Sequence, residues 1–279
     1  MEEAVSGRKR REGKLIYEYL LVLAVVTAIL LVSFGLTNYI ARDSAMEEAL
    51  QAADVIFEQA VDRVNIFEED IDSLYMNVVY NPSVSGFLSA AGLPGRWENL
   101  DNFLQMVGNN MRINQSLKNV SLYNTRGELI AAKGDVFYLW NEENPPGIQT
   151  VYSDRIVDGK TGKTYFQVGM AIYEEQGAGG LAQNGFASLL FGTDSLQEIV
   201  DGALLNPESG VAILDRHGNV VVSAGKWRAS YRWETRTREN VEDLIYVSPV
   251  GNTGWKLMSV VPRASMTSGV TQMQRIINT

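Results

Sequence analysis

Cysteine is absent from this 279-residue chain, and histidine occurs once. The first absence excludes disulfides, thiolate metal sites and thiol redox chemistry, so a folded domain here is held by its core alone. The second leaves His217, in the turn between Asp215 and Gly218, without a partner of its own kind; it reads as a solvated turn residue with no catalytic role. Basic excess is missing too. The net charge is −9, and residues 1–18 hold five Lys/Arg against four Asp/Glu, leaving 19 against 29 for the rest of the chain. That balance excludes a nucleic-acid footprint. Gly159-Lys160-Thr161 lacks the earlier glycine of a phosphate loop, since Asp154 stands there, and Gly177, Gly179 and Gly180 lack the context of a dinucleotide site. No catalytic residues, metal site or cofactor are expected, and the residues given do not read as an enzyme.

Charge is also missing from YLLVLAVVTAILLVSFGL, Tyr19 to Leu36, an eighteen-residue run close to the minimum for spanning a bilayer core of roughly 30 Å. Arg8, Lys9, Arg10, Arg11 and Lys14 precede it, and Asp43, Glu47 and Glu48 follow. Positive-inside bias places the N-terminus in the cytoplasm and residues after about 40 outside. A cleaved signal peptide shares the basic start, but its apolar core is shorter and no small-x-small cleavage site follows Leu36.

Proline and glycine are missing from Met46 to Tyr80, and apolar side chains recur every three or four residues through that stretch, so it is expected to be one long helix stopped by Asn81-Pro82. Leu50, Phe57, Val64, Ile71 and Val78 take heptad position a; Met46, Ala53, Ala60, Phe67 and Leu74 take d. A parallel homodimer would pair Arg63 with Glu68 but also Ile56 with Val61 and Asp70 with Tyr75. Ile56, Val61, Ile66, Tyr75 and Met76 widen the apolar face, which also suits a helix lying on its own domain.

A second amphipathic helix is expected from Trp97 to Ile113. Period-two alternation then takes over: LKNVSLY and ELIAAK flank a turn at Asn124 to Gly127, TVYSDRIVD and KTYFQVGMAIYEE flank Gly159 to Gly162, and FASLLFG, Phe186 to Gly192, closes the sheet. Asp194 is placed to N-cap a short helix. SGVAILD, NVVVSAG, DLIYVSPV and GWKLMSVVP form a second, smaller antiparallel sheet, and ASMTSGVTQMQRII is weakly amphipathic. Between these strands, Lys226 to Asn240 interleaves arginines with Trp227, Tyr231 and Trp233, a polar loop or a contact for anionic headgroups.

Candidate ligand residues come from the strand KTYFQVGMAIYEE. Phe166, Val168, Met170 and Ile172 share one face, which should take the helices; Tyr165, Gln167, Gly169, Ala171 and Tyr173 share the other. Aromatics and an amide among small residues suit either a pocket or a solvent-facing surface. Tyr152 and Asp154 alternate similarly in the preceding strand, and Trp140 precedes a Pro-Pro loop placed to cap the opening. The ligand-binding candidates are therefore Trp140, Tyr152, Asp154, Tyr165 and Gln167.

The order of parts resembles the sensory half of double Cache receptors, most similar to Gram-positive two-component sensor histidine kinases. The matching stretches are the basic tail and anchor, the long exit helix ending in YNPSVSGFL, SLYNTRGELIA, FGTDSLQEI, VAILDRHGNVVVSA and NTGWKLMSVVP. The resemblance implies an α+β fold in which a transmembrane helix continues into a stalk helix carrying two tandem PAS-like antiparallel sheets. The expected segments are a cytoplasmic tail (1–18), a transmembrane helix (19–40), a stalk (41–81), a ligand-sensing domain (82–194), a membrane-proximal domain (195–264) and an exit helix (265–279) towards a second membrane segment. It implies a small-molecule ligand, with a second transmembrane helix, a HAMP linker and a kinase module only in a longer parent chain; the homodimer is expected from the heptad spacing. The amino-acid signature of some double Cache sensors is not recognisable, so the ligand class stays open. The alternative is an anchored extracytoplasmic binding or assembly protein without signalling output.

Overall fold

The structure is a computed structural model that describes residues 2–89, 93–140, 146, 150–176, 180–228 and 243–266. These fall into two compact units, divided between Ala52 and Ala53 and again between Ser265 and Met266. In the first, helix α1 (Glu2–Val79) carries a segment long and apolar enough to cross a membrane, and its large apolar side chains from Tyr19 to Leu36 are exposed.

The second unit is built around the remainder of α1. Val64, Ile71 and Val78 from position a, and Ala53, Ala60 and Leu74 from position d, are buried in it. Phe57 packs on Tyr246, with ring centroids 5.3 Å apart, and Phe67 stands edge-on to Phe166 at 6.4 Å. Of the two uses the stripe suits, a partner helix or its own domain, the buried positions serve the second, because two sheets lie against them. Val55 and Ile66, on the opposite side of the helix, are 52% and 57% exposed.

Helix α1 ends one turn before Pro82, as Asn81-Pro82 dictates. Asn81 Oδ1 accepts the Ser83 N–H at 2.9 Å, and Pro82 opens α2 (Pro82–Ser89), where a missing N–H costs nothing. This short helix has too few turns to show a period in the sequence. Helix α3 (Leu93–Ile113) buries Phe103 and Val107.

The first sheet contains β1 (Leu117–Tyr123), β2 (Leu129–Gly134), β3 (Val151–Tyr152), β4 (Ile156–Val157), β5 (Thr164–Gln176) and β6 (Gly180–Gly192), in the order β2-β1-β6-β5-β3 with β4 also on β5. Its pairings are antiparallel. FASLLFG does not close the sheet but occupies its middle. Both faces of that strand are covered, and every residue from Phe186 to Gly192 is buried, which is why it reads as a continuous apolar run. The β1–β2 turn is held by Asn124 Oδ1, which accepts the N–H groups of Arg126 and Glu128, and Gly127 supplies the positive φ of 77°.

Helix α4 (Asp194–Gly202) follows, with Thr193 rather than Asp194 at its N-cap. Asp194 lies inside the first turn, where its charge favours the positive end of the helix dipole. The second sheet, β7 (Gly210–Leu214), β8 (Val220–Gly225), β9 (Asp243–Val250) and β10 (Trp255–Pro262), has the antiparallel order β8-β7-β10-β9. Helix α5 (Arg263–Met266) ends the described chain; most of the arginine-rich stretch after Arg228 and of the expected exit helix lies outside the described residues.

One core runs through α1, both sheets and the short helices. Trp255 of β10 joins its two halves, standing edge-on to Phe166 at 4.9 Å and to Tyr152 at 6.0 Å. Burying each such side chain contributes roughly 1.5–3 kcal/mol.

Candidate functional site

The strand β5 presents the two faces its alternation predicts. Phe166, Val168 and Ile172 are buried towards the helices, and Leu189 and Val120 lie beside Val168 across β6 and β1. On the outer face, register sets Gln167 opposite Leu190, Gly169 opposite Ser188, and Ala171 opposite Phe186. Across β6, Ser188 faces Ser121 and Phe186 faces Tyr123.

This outer face is not open to solvent. Trp140 donates its backbone N–H to the Tyr123 hydroxyl at 3.0 Å and sets its ring edge-on to Phe186 at 6.0 Å. Tyr123 and Phe186 stack at 4.6 Å. Tyr138 lies 5.8 Å from Tyr165, ring to ring, and its carbonyl accepts the Gln167 Nε2–H at 2.9 Å. Gly169 makes this cover possible: a Cβ there would meet the Trp140 ring at 2.4 Å and Pro146 at 2.8 Å. Of the Pro-Pro loop expected to cap the opening, only Pro146 is among the described residues.

Two polar atoms beneath this cover have no hydrogen-bond partner among the described residues, Gln167 Oε1 and Ser188 Oγ. Their residues are 1% and 2% exposed. Leaving a buried polar group unpaired costs about 1–3 kcal/mol, so such a pair calls for a partner. The amide's orientation follows from Tyr138, whose carbonyl requires the nitrogen on its side, so the free atom is an acceptor. Around it stand aromatic rings and the Ser121 hydroxyl, which donates to Asn119 Oδ1 at 2.6 Å. Burial pushes the Tyr123 phenol up, with the bonds from Trp140 and Ser121 opposing.

Trp140, Tyr165 and Gln167 therefore come together. Tyr152 and Asp154 do not join them. Tyr152 pairs with Val168 and takes its face, buried towards α1 with its hydroxyl 3.5 Å from Asp72 Oδ1. The shared face expected from alternation fails because β3 is two residues long and only its register decides the side. Asp154 has left the sheet altogether and reaches the β7–β8 turn, 3.1 Å from Arg216 Nε and 3.2 Å from His217 Nε2. His217, though exposed, is thus a contact between the two sheets and not merely a turn residue. Next to it, Arg155 donates to the Val220 carbonyl at 2.8 Å. The sequence does not single out Ser188, Tyr123, Tyr138 and Phe186; strand register brings Ser188, Tyr123 and Phe186 to this face, and the segment after β2 brings Tyr138.

No family model and no curated protein matches this sequence. Solved structures do. The sensory domain of the Campylobacter jejuni chemoreceptor Tlp3 with isoleucine bound aligns with a TM-score of 0.56 at 13% identity, covering 81% of this chain and 97% of that one. The extracellular domain of vpHK1S-Z8, described as a histidine kinase, gives 0.55 at 12%, covering 82% and 96%. The ligand-binding domain of the Pseudomonas aeruginosa amino-acid chemoreceptor PctC with GABA gives 0.50 at 11%, covering 73% and 96%. At such identities the likeness establishes the fold alone, two antiparallel sheets with a long helix, and the site must be argued from its own residues.

Proposed function

We propose that this chain is the ligand-sensing input region of a membrane-anchored receptor of the double Cache type, with a small molecule held on the outer face of the first sheet. The observation that carries the reading is the buried pair of unpartnered atoms, Gln167 Oε1 and Ser188 Oγ, under Trp140. An amide oxygen can only accept, so the ligand must bring a hydrogen-bond donor, an ammonium or a hydroxyl. Trp140, Tyr165 and Tyr123 supply the apolar walls. The structural neighbours support this choice, since the isoleucine held by Tlp3 and the GABA held by PctC both carry ammonium groups.

In this reading Tyr19 to Leu36 crosses the membrane, with the basic tail in the cytoplasm and the sheets outside. Two chains meet along the outer side of α1, where Val55 and Ile66 are exposed. Ligand binding favours one arrangement of α1 over another by its differential affinity for the two, and the helix carries that preference to the membrane segment. The output we favour is a histidine kinase, on the resemblance of the sequence motifs; these residues supply the input and not the catalysis. The test is calorimetric titration of the full chain in lipid nanodiscs with L-isoleucine and GABA, each against its counterpart lacking the amino group. Saturable binding that requires the donor supports the reading; binding of the deaminated counterparts with equal affinity contradicts it.

A further inference from the structure

The other side of the first sheet borders a recess that the outer-face site does not involve. It is a cleft of about 480 Å³ at the meeting of three elements: α1 contributes Glu68, Asp72 and Tyr75, the first sheet Tyr152 and Met170, and the β9–β10 turn Asn252. Its size is that of a small-molecule pocket.

The chemistry of the cleft is lopsided. Glu68 and Asp72 are one helical turn apart, a spacing at which like charges repel. No cationic side chain is among the described lining residues. Glu68 Oε1 accepts the Asn252 N–H at 2.9 Å, whereas Asp72 receives only the long 3.5 Å bond from the Tyr152 hydroxyl. Although the residue as a whole is exposed, partial desolvation by the neighbouring elements holds the Asp72 carboxyl above its ordinary range, with the Tyr152 bond pulling it back. Tyr75 is wholly buried at 0% exposure, and its hydroxyl has no partner among the described residues. Acceptors and negative charge are therefore in surplus, beside an aromatic ring and a thioether.

We propose that this cleft is a second ligand site, for an organic ammonium whose nitrogen lies between Asp72 and Glu68 and bonds the Tyr75 hydroxyl, with its apolar part against Met170 and Tyr152. A bare divalent cation suits it poorly. Hard cations take about six to eight oxygen ligands, and no group of three metal-binding side chains occurs among the described residues. An ammonium bound here bridges α1 to the first sheet beside the β9–β10 turn, which makes the cleft a second input acting on the same helix. The carboxylates supply the charge, the Tyr rings a cation-attracting face, and Met170 a polarisable contact.

The test titrates phenethylammonium chloride into the full chain in nanodiscs, with 2-phenylethanol and calcium chloride as controls. Phenethylammonium should bind saturably, and the neutral alcohol roughly tenfold more weakly or worse, as expected for loss of charge-assisted hydrogen bonds. Asp72→Asn should weaken phenethylammonium by a similar factor, Tyr75→Phe by less, and Gln167→Leu not at all. Asp72 is exposed, so its neutralisation should leave the melting temperature unchanged, which keeps that arm interpretable if Tyr75→Phe disturbs folding. No binding to the wild-type chain, equal binding of the alcohol, indifference to Asp72→Asn, or displacement of the amine by stoichiometric calcium would each overturn the proposal. Loss of binding in Gln167→Leu with Asp72→Asn unaffected would move the amine to the outer face and overturn it as well.

Discussion

At Gly169 a single hydrogen atom decides whether the outer face can be covered. The Trp140 ring and Pro146 both occupy the space a side chain would need there, at 2.4 and 2.8 Å from an ideal Cβ. Gly169→Ala should push both away, lower stability by about 1–3 kcal/mol as overpacking does, and weaken a donor ligand; a thermal melt and a titration of the same variant check both. Unchanged stability would mean that the ring does not rest on this strand. Gly169, Gln167 and Tyr165 were legible in the sequence because β5 is long enough for strict alternation to show. Ser188 was not, because β6 is buried on both faces and carries no alternation to read. Tyr152 was assigned to the wrong face for a related reason: alternation cannot be carried through a turn into a two-residue strand without knowing the register.

At the scale of elements, α1 is where the sequence is clearest and also where it leaves two readings open. The heptad spacing marked the helix and its stop at Asn81-Pro82, but spacing alone cannot tell a partner helix from a sheet. Val64 and Ile71, each 1% exposed, belong to the chain's own core. Of the excess apolar residues at Ile56, Val61, Ile66, Tyr75 and Met76, Val61 and Tyr75 pack into that core, whereas Ile66 and Met76 stay exposed; a face wider than a zipper seam needs a wider surface to cover it. Because the chain has no native cysteine, single substitutions give a clean cross-linking test. Ile66→Cys should form intermolecular disulfides in membranes faster than Val64→Cys if pairing uses the outer side of α1; the reverse order would restore the zipper.

For the whole molecule, the order of helices and strands is readable apart from α2 and the split of TVYSDRIVD into β3 and β4, whereas the strand order is not. The return of β6 between β1 and β5 is a long-range pairing that no local pattern encodes. The same holds for the join between sheets. Trp255 carries it through Phe166 and Tyr152, while Asp154 with Arg216 and His217 adds an exposed ion-pair cluster worth no more than about 1 kcal/mol. Packing of both sheets against α1 gives a ligand on the first sheet a physical route to the helix. The most direct measurement of that account is the affinity of L-isoleucine or GABA, whichever the wild-type chain binds, for Gln167→Leu and Ser188→Ala in nanodiscs. The account predicts roughly tenfold or greater loss in Gln167→Leu and a smaller loss in Ser188→Ala, with folding intact. Undiminished affinity in both variants, or no binding of either compound to the wild-type chain, would contradict it.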